Sequence, residues 1–535
     1  MRPVPAIRRG ISEFPEELTM PRIVKGFALV VGALAALVLT DAAQAQKKTL
    51  TVALNQDPDI LDPTLARTYV GRIIFSQMCE KLYEIDEGLR IQPQLAAAMP
   101  AITDGGRTVT IKLRSGVKFN DGTPMDAESV RFSLERHRTF KGSNRASELA
   151  PVEAVEVVDP LTVRLRLKAP FSPLLAQLTD RAGMPVSPTA VNKLGEKFGT
   201  APVCVGPWQF AERVSQDRIV VEKSPHYFDP GQAKFDKIVF RIIPDDNVRL
   251  ANLRSGDIDV MHMVSPTDAA AIKREGRFEI SNVTGLGYQG ITINLRNKTG
   301  KQNPPGDLGT PLANDPRVRE AFELSIDREA LNQVAWDGLY TPGCTPIPPI
   351  SVYFDKSRKC PGRDVAKAKK LLADAGHAGG MSFEMTVVNN PRERRVGEVI
   401  QQMAREAGFN ISLRAQEFAS ALTDNEDGKH QSFLIGWSGR VDPDGNIHQV
   451  QTCKGSLNTT LACDEKIDAL LNKAREVSDV DQRRGLYREA IDLFDARRNI
   501  IYIYHLNYIV AFPKNLKGYK GVPDGLIRVK GTSWN

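Results

Sequence analysis

The stretch LIGWSGRVDPDGN (434–446) gathers several side chains that could do chemistry. Trp437 offers a flat aromatic face, Arg440 a planar cation, and Asp442 and Asp444 two carboxylates separated by one residue. Such a set is compatible with a catalytic acid pair, a calcium loop, an exposed turn or the floor of a binding pocket. Which of these applies decides the class of function.

The catalytic and calcium hypotheses find little support in the neighbouring sequence. The segment IHQVQTCKG (447–455) contains no acid that could act as the closing bidentate glutamate of a calcium loop. Asp442 and Asp444 would work as an acid/base pair only if other walls of a site converged on them. We therefore predict a turn at Asp444 and Gly445. Trp437 suits a core position and a stacking surface for a ligand equally well.

Other motifs of enzymes and nucleotide sites are incomplete. GLGYQG (285–290) matches G-x-G-x-x-G, but the predicted strand ITINLRN (291–297) follows it, where a dinucleotide site requires a helix. GWSG (436–439) is followed by Arg440 and so lacks the final glycine of a nucleophile elbow. The 7 histidines are scattered without an H-E-x-x-H motif. The sequence thus predicts no catalytic centre, no metal site and no cofactor.

The elements that must position these residues follow an α/β pattern, in which short β-branched runs alternate with amphipathic helices. TLTVAL (49–54) and RTVTIKL (107–113) are predicted strands. Helix starts are predicted at aspartates that precede amphipathic segments. These N-cap residues are Asp126, Asp315 (followed by Pro316 at the first helical position), Asp327 and Asp364.

The opening stretch lies at the end of a predicted strand. After a helix that ends before Gly408 and a strand that starts at Phe409, a polar loop leads to SFLIGW (432–437). Its run of apolar and small residues suits a strand buried on both faces, as in a parallel sheet. Ligands of open α/β sheets bind outside the carboxyl ends of the strands. This position favours a binding pocket.

The N-terminal 45 residues have the features of a signal peptide. From Met20 the chain has two cations, an apolar run (26–39) that is shorter than a membrane span, and a small-residue cleavage motif ending at Ala45. Met20 is the predicted true start, and cleavage near Ala45 would export the protein to the periplasm. The net charge of +7 over 535 residues is interspersed, without the basic tract of a nucleic-acid binder.

The 6 cysteines form an even set in an exported chain, which favours disulfides. Six cysteines permit about 15 connectivities. Proximity in the sequence favours pairing of neighbours, with the first two cysteines left as a long-range pair. The predicted pairs are Cys79 with Cys204, Cys344 with Cys360, and Cys453 with Cys463.

Several segments resemble one known family, in the order that the family uses. They include LDPTLARTYVGRIIFSQMCEKLYEID (61–86), LRSGDIDV (253–260), DPRVREAFELSIDREAL (315–331) and, as the most specific, KLRSGVKFNDGTPMDAESV (112–130). The chain resembles the extracytoplasmic solute-binding proteins of ABC importers for peptides, opines and nickel (family 5), which include the dipeptide- and oligopeptide-binding proteins. The resemblance covers nearly the whole chain after the signal peptide.

The resemblance implies an α/β, two-lobed periplasmic binding protein fold of type II with an extra third domain, similar to cluster C. Lobe I would comprise residues 46–85, 205–290 and 506–535, and lobe II residues 291–505. The inserted extra domain would span 86–204, and it is expected to be structural and not part of the binding site. Ligand would be enclosed between the lobes by hinge closure.

The resemblance also points to binding residues. Peptide-binding members hold the ligand's ammonium with an aspartate three residues after the tryptophan of a W-x-x-D stretch, a position that Arg440 occupies here. A cation there would repel an ammonium and favour a carboxylate or phosphate. Asp442 could take the ammonium if the loop is offset. Arg394 or Arg395 matches the place where dipeptide binders hold a carboxylate, although a solvated helix face explains these arginines equally well.

Tyr288 and the loop TLART (64–68), which ends at Thr68, resemble positions that line the cleft. Together these features predict a monomeric periplasmic protein, without enzymatic activity, that delivers a peptide or peptide-like small molecule to the membrane permease of an ABC importer. An opine, another acidic amino-acid conjugate or a metal chelate is the alternative ligand. An exported hydrolase and a chemosensory binding protein are the alternatives in function.

Overall fold

Three large sheets organise residues 48–535, the part of the chain that the computed structural model describes. The predicted signal peptide, including Met20 and Ala45, lies outside the described residues. In chain order, the strands β1 to β21 are Thr49–Leu54, Tyr83–Ile85, Ile91–Pro93, Ala101–Thr103, Thr108–Lys112, Val152–Asp159, Thr162–Leu167, Trp208–Val214, Arg218–Lys223, Lys237–Ile242, Val260–Met261, Phe278–Thr284, Tyr288–Ile293, Thr341–Pro342, Met381–Val388, Phe409–Gln416, Ser432–Trp437, Ile500–His505, Asn507–Pro513, Leu516–Lys517 and Ser533–Trp534.

The α-helices between these strands are amphipathic, and several begin at a predicted cap. In chain order, the helices α1 to α15 are Tyr69–Met78, Ala127–Thr139, Leu174–Gln177, Pro188–Leu194, Asp246–Ser255, Pro266–Arg274, Pro311–Asn314, Pro316–Ser325, Arg328–Trp336, Val365–Asp374, Pro391–Glu406, Phe418–Glu426, Asp444–Gln451, Glu465–Glu476 and Val480–Arg497.

The four predicted N-caps are confirmed. The carboxylate of Asp126 accepts the backbone N–H of Ser129 at 2.9 Å, and that of Asp327 accepts the N–H of Ala330 at 2.9 Å. Asp364 caps α10, and Asp315 caps α8 with Pro316 at the first helical position. Each cap satisfies an N–H that has no partner inside the helix, which is why the aspartate fixes the helix start.

The first sheet has the strand order β12-β19-β11-β1-β10-β9-β8, and it joins distant parts of the chain. β1 runs parallel to β10 and β11, while β19 returns from the end of the chain to pair antiparallel with β12. In β1, Leu50, Val52 and Leu54 alternate into one buried core. The third sheet, β4-β5-β7-β6, is antiparallel and has its own core in residues 82–205.

The second sheet has the order β14-β18-β13-β17-β15-β16 and contains the predicted strand SFLIGW as β17. SFLIGW was expected to be buried on both faces, as in a parallel sheet, but the sheet is mixed: β17 is parallel to β15 and antiparallel to β13. Phe433 and Leu434 are buried, whereas Gly436 is exposed and Trp437 half-buried. The carboxyl end of β17 therefore leaves the core and faces open space.

The three predicted disulfides are confirmed, with Cα–Cα distances of 4.9 Å for Cys79–Cys204, 5.5 Å for Cys344–Cys360 and 4.3 Å for Cys453–Cys463. Cys79 directly follows α1, and Cys204 precedes β8. The long-range link thus joins the first sheet's helix to the end of the segment that carries the third sheet. Across residues 48–535, no helix is long and apolar enough to cross a membrane.

Candidate functional site

A cavity of about 170 Å³, the main cavity, lies between the carboxyl end of β17, the loop that precedes α1, and helix α12. Three of the predicted site residues line it together: Thr68, Tyr288 and Trp437. Apolar side chains cover much of the remaining wall, a composition typical of small-molecule sites. They are Phe418, Leu422, Ile435, Val450, Leu457 and Ile500.

Tyr288 and Trp437 are neighbours across the antiparallel pair β13 and β17, which brings their rings to the same part of the wall. The Tyr288 ring meets Tyr502 edge to face, with 4.8 Å between the ring centroids. The indole N–H of Trp437 donates to Asn446 Oδ1 at 3.1 Å. Because these contacts fix both rings, the wall presents aromatic surface in one orientation, which suits stacking against a planar ligand group.

The polar part of the cavity contains more cations than carboxylates. Arg67, Arg145 and Arg181 line it, and Glu426 is the carboxylate among its lining residues. Arg67 Nη1 donates to Glu426 Oε1 at 3.0 Å, and Lys301 Nζ lies 3.1 Å from the same oxygen. The charge of Glu426 is therefore already compensated within the protein, and a ligand meets a positive wall.

Arg145 and Arg181 line the cavity and also belong to a buried cluster of ion pairs that extends away from it. Arg145 pairs with Glu148, while Asp180 contacts three arginines. Its oxygens lie 3.1 Å from Arg72 Nε, 3.6 Å from Arg181 Nε and 2.6 Å from Arg440 Nε. Four arginines thus share two carboxylates, Glu148 and Asp180, so that the cluster carries an excess of positive charge.

The pKa values of the cluster reflect this imbalance. Burial would raise the pKa of Asp180, but Arg440, Arg72 and Arg181 outweigh that effect and hold the pKa well below its usual range. Burial, followed by repulsion from Arg145, lowers the pKa of Arg181 well below its ordinary value. A bound anion would relieve the repulsion among these cations.

Arg440, predicted to face the ligand, lies outside the main cavity's lining. Its Nη1 donates to the carbonyl of Gly439 at 2.9 Å, and its guanidinium lies 5.0 Å from the centroid of the Trp437 ring. Its backbone N–H donates to Asn446 Oδ1 at 2.6 Å. Arg440 therefore contacts Trp437 and Asp180 on the side away from the cavity. Burial lowers the pKa of Arg440 to about 10.

Asp442 also lies outside the cavity. Its two carboxylate oxygens accept Arg483 Nη1 and Nη2, each at 2.8 Å, in a buried bidentate pair. Asp442 Oδ1 also accepts the backbone N–H of Asp444 at 2.9 Å, so both the charge and the hydrogen bonding of this carboxylate are satisfied within the protein.

The predicted turn at Asp444 and Gly445 is wrong, because both residues belong to the first turn of α13. Asp444 accepts Arg475 Nε at 2.6 Å and is buried. A Cβ on Gly445 would lie 2.6 Å from Arg440 Cγ, so the glycine provides the space in which Arg440 packs. Tertiary ion pairs, which local sequence does not reveal, stabilise the helix start.

Arg394 is exposed and lines a separate depression of about 430 Å³ with Asp245, Arg395 and Glu398. The arginine of this segment that turns inward is Arg392, whose Nη2 donates to the carbonyl of Met263 at 2.7 Å. Arg394 thus lies on the solvated helix face that was the alternative interpretation.

Residues 86–204, which were expected to be structural and not part of the binding site, contribute to the lining of the main cavity. Asn144, Arg145 and Arg181 of this segment line the main cavity. The sequence analysis did not predict these residues because they belong to no known motif: Arg145 follows α2 in a polar loop, and Arg181 begins a short 3-10 turn, Arg181–Gly183. The run of arginines in ERHRTFKGSNR (135–145) was the available signal.

Comparison with known proteins identifies the family. Residues 90–458 match the family described as bacterial extracellular solute-binding proteins, family 5 Middle. The chain belongs to this family. Similar family 5 relatives include the glutathione-binding protein GsiB of Salmonella paratyphi A, which is 29% identical over 490 residues, covering 89% of this chain and 93% of the relative. GsiB of Escherichia coli O1:K1 is 28% identical over 521 residues, covering 94% of this chain and 98% of the relative.

Solved structures confirm the two-lobed periplasmic binding protein fold. The periplasmic binding protein DppA from Helicobacter pylori, in complex with the peptide STSA, matches with a TM-score of 0.83 and 22% identity, covering 92% of this chain and 99% of that chain. AgaA of A. tumefaciens R10, in complex with agropinic acid, matches with a TM-score of 0.80 and 25% identity, covering 91% of this chain and 99% of that chain.

Proposed function

We propose that the protein is the periplasmic solute-binding component of an ABC importer and that its ligand is a peptide-like small molecule with at least one carboxylate. The observation that carries this proposal is the placement of Arg145 and Arg181 on the wall of the main cavity, in a cluster with excess positive charge. The ligand carboxylate would lie against these two arginines, and its planar peptide or conjugate groups against Tyr288 and Trp437.

The partners of the two arginines support this assignment. Arg145 and Arg181 are buried, and within residues 48–535 the Nε of each lacks a hydrogen-bond partner. Arg181 Nη1 donates to the carbonyl of Ala66 at 2.7 Å, a neutral acceptor, and Asp180, the carboxylate 3.6 Å from Arg181 Nε, is shared with Arg72 and Arg440. Buried cations are stabilised when an anion completes their hydrogen bonds, and guanidinium groups match the geometry of a carboxylate.

The names of relatives indicate which carboxylates to test. Family 5 relatives are named for glutathione, and similar structures contain a peptide or agropinic acid. A peptide carries a terminal carboxylate, and an opine carries one from its amino-acid part. We favour a short peptide or glutathione-like compound, with an opine, another acidic conjugate or a carboxylate-bearing metal chelate as the second candidate.

We also propose a domain arrangement and an order of export, ligand binding and docking for the protein. The signal peptide would be cleaved near Ala45. Lobe I would comprise 46–85, 205–290 and 506–535, the extra domain 86–204, and lobe II 291–505. The first sheet draws its strands from lobe I and the second from 288–505, which supports this division. The monomeric protein would close around the ligand without converting it chemically, and the closed form would dock on the permease.

Calorimetric titration tests the carboxylate requirement. Glutathione and its diethyl ester form a matched pair that differs in carboxylate charge, and Arg181→Gln removes one cation from the wall. We expect the ester, and glutathione with the variant, to bind at least tenfold more weakly than glutathione with the wild type, a difference of about 1.4 kcal/mol. Arg394→Gln, on the exposed helix face, is the control. Equal binding of ester and acid would contradict the proposal.

Native mass spectrometry of the periplasmically expressed protein would identify a retained ligand independently of this choice. A co-purified compound without a carboxylate would also contradict the proposal. Mass analysis of glutathione after incubation with the protein tests for turnover, and a hydrolysis product would favour the hydrolase alternative.

A further inference from the structure

A second cavity of about 90 Å³ adjoins the main cavity. The two share Phe418, Ile435 and Gly436 as lining residues, so they meet at the edge of β17. Residues of the first sheet's side of the protein, Asn55 and Asp246, face residues of helix α11 across it. A ligand in the main cavity could therefore extend one end into this space.

Gly436 makes room for the side chain of Gln289 at the junction of the two cavities. A Cβ at this position would lie 2.2 Å from Gln289 Oε1 and 2.9 Å from the carbonyl oxygen of Tyr288. Gln289 pairs with Gly436 across β13 and β17, and its side chain occupies the space that a larger residue would need. The glycine thus allows Gln289 to reach toward α11.

Glu393, in the first turn of α11, is the carboxylate of the second cavity that has no salt bridge within residues 48–535. Its Oε2 accepts Gln289 Nε2 at 2.7 Å, and Gln289 is neutral. The cation beside it, Arg392, donates to the carbonyl of Met263 at 2.7 Å and lies 3.4 Å from Asp246. Asp246 pairs with Arg249 as well. The carboxylate of Glu393 is thus left without a direct counter-charge.

A second acceptor faces the same space. Asn55 lines the second cavity, and its buried Oδ1 has no hydrogen-bond partner within residues 48–535. Among the described residues, the second cavity is thus lined by one acceptor without a partner, Asn55 Oδ1, and by one carboxylate without a salt bridge, Glu393. Together they suit a group that offers several N–H donors and a positive charge. An ammonium group has both properties.

We propose that the second cavity is a cation subsite, in which Glu393 and Asn55 bind the ammonium of a ligand whose carboxylate lies at Arg145 and Arg181. This inference rests on the proposed function. It assigns a place for the ammonium in a protein where Arg440 occupies the position of the aspartate that holds it in peptide-binding relatives. A zwitterionic ligand would then span both cavities, with its cation and its anion at opposite ends.

The protonation of Glu393 should make ligand affinity at the subsite depend on pH. Burial raises the pKa of Glu393 to about 7, against the opposing effect of Arg392. The other charged or titratable groups near it are Asp246 of α5 and the hydroxyls of Tyr340 and Tyr504. Because an ammonium binds the ionised carboxylate, affinity for a zwitterionic ligand should increase from pH 6 to pH 7.5, by roughly eightfold for a pKa of about 7.

Calorimetry with matched probes tests the subsite. The probes are glutathione, Ser-Thr-Ser-Ala and Met-Leu, each compared with its N-acetylated form, which keeps the carboxylate and loses the ammonium. With Glu393→Gln, we expect affinity for the free amines to fall at least tenfold and the increase with pH to vanish, while the acetylated forms bind wild type and variant alike. Glu398→Gln, exposed on the same helix, is the matched control.

The outcomes separate the two proposals. If acetylated and free probes bind equally and Glu393→Gln changes neither, while Arg181→Gln still weakens both, the subsite is overturned and the proposed function stands. If no probe binds the wild type, the subsite and the preference for a short peptide or glutathione-like ligand are both overturned. Thermal melting of Glu393→Gln checks the fold, and Gly436→Ala, which obstructs the junction, should also reduce the preference for free amines.

Discussion

The Nε atom of Arg440 lies 2.6 Å from a carboxylate oxygen of Asp180. Asp180 precedes the 3-10 turn of the third sheet's segment, and Arg440 follows β17 of the second sheet. This buried pair therefore joins two parts of the protein on either side of the main cavity. It also explains why an arginine beside Trp437 is not free to bind a ligand: its charge is used to hold the wall together.

Arg440→Gln should affect stability more than ligand contact. Removing one partner of a buried ion pair typically costs about 3–5 kcal/mol. Because Asp180 keeps Arg72 at 3.1 Å and Arg181 at 3.6 Å, we expect a smaller loss than this in urea denaturation. Affinity for glutathione should fall less than in Arg181→Gln, because Arg181 lines the cavity and Arg440 does not. A large loss of affinity in Arg440→Gln without a loss of stability would mean that this arginine contacts the ligand directly.

Asp442→Asn should destabilise the fold and leave binding intact. The substitution breaks the bidentate pair with Arg483, whose side chain is 2% exposed, so Arg483 would keep a buried charge without its carboxylate. The expected loss is again about 3–5 kcal/mol, measured by urea denaturation, with an unchanged dissociation constant for glutathione. Asp481→Asn serves as the control, since Asp481 is 83% exposed. Weaker binding at full stability would show a direct role for Asp442.

Trp437→Ala should weaken ligand binding because it removes a fixed stacking surface. Aromatic contacts contribute about 0.5–1.5 kcal/mol beyond the burial of their area, and the buried area adds to this, so we expect at least a tenfold loss. Trp437→Phe should lose less. Ligand should change the tryptophan fluorescence of the wild type and much less that of Trp437→Phe. An unaltered fluorescence response in Trp437→Phe would place the ligand elsewhere.

His137 should make the protein sensitive to acid. Burial lowers its pKa to about 4, while its hydrogen bond to the carbonyl of Met184 partly opposes the shift. The unfolded chain binds a proton near pH 6.5 and the folded chain only near pH 4, so this group's contribution to stability is present above pH 6.5 and is lost as the pH falls toward 4. The maximal loss is on the order of 3 kcal/mol.

Urea denaturation at several pH values measures this dependence. In His137→Gln, the free energy of unfolding should change less between pH 6.5 and pH 4 than in the wild type. His226→Gln, at an exposed position, should leave the slope unchanged. Equal slopes for His137→Gln and the wild type would show that other groups, such as His505, dominate the response.

Short sequence patterns were sufficient to predict the helices and strands. The residues of the candidate site were harder to predict because they depend on contacts between distant segments. Asp126, Asp315 and Asp364 could be recognised as caps because a helix start depends on a few neighbouring residues. Trp437 could be expected at this edge because its strand ends there, and Tyr288 was expected from the resemblance to cleft-lining positions of the family. Arg145 and Arg181 could not, because their importance arises only when Asp180, Glu148 and the loop before α1 meet in the folded chain.

The mistaken turn at Asp444 has the same origin. A D-P-D-G sequence favours a turn in isolation. The structure replaces it with a helix because Arg475 approaches Asp444 and Asn446 accepts hydrogen bonds from Trp437 and Arg440. Charge reversal at Arg440 was visible in the sequence, but its consequence depended on a partner in a different segment.

The Cys79–Cys204 disulfide stabilises the binding wall only after it has formed. It ties the end of α1, which follows Thr68, to the end of the segment that carries Arg145 and Arg181. Such a bond forms in oxidising compartments and not in a reducing cytoplasm. A newly synthesised chain therefore contains all residues of the wall before the disulfide that links them has formed. In the proposed periplasmic setting, the pocket therefore gains its covalent link only after export of the chain.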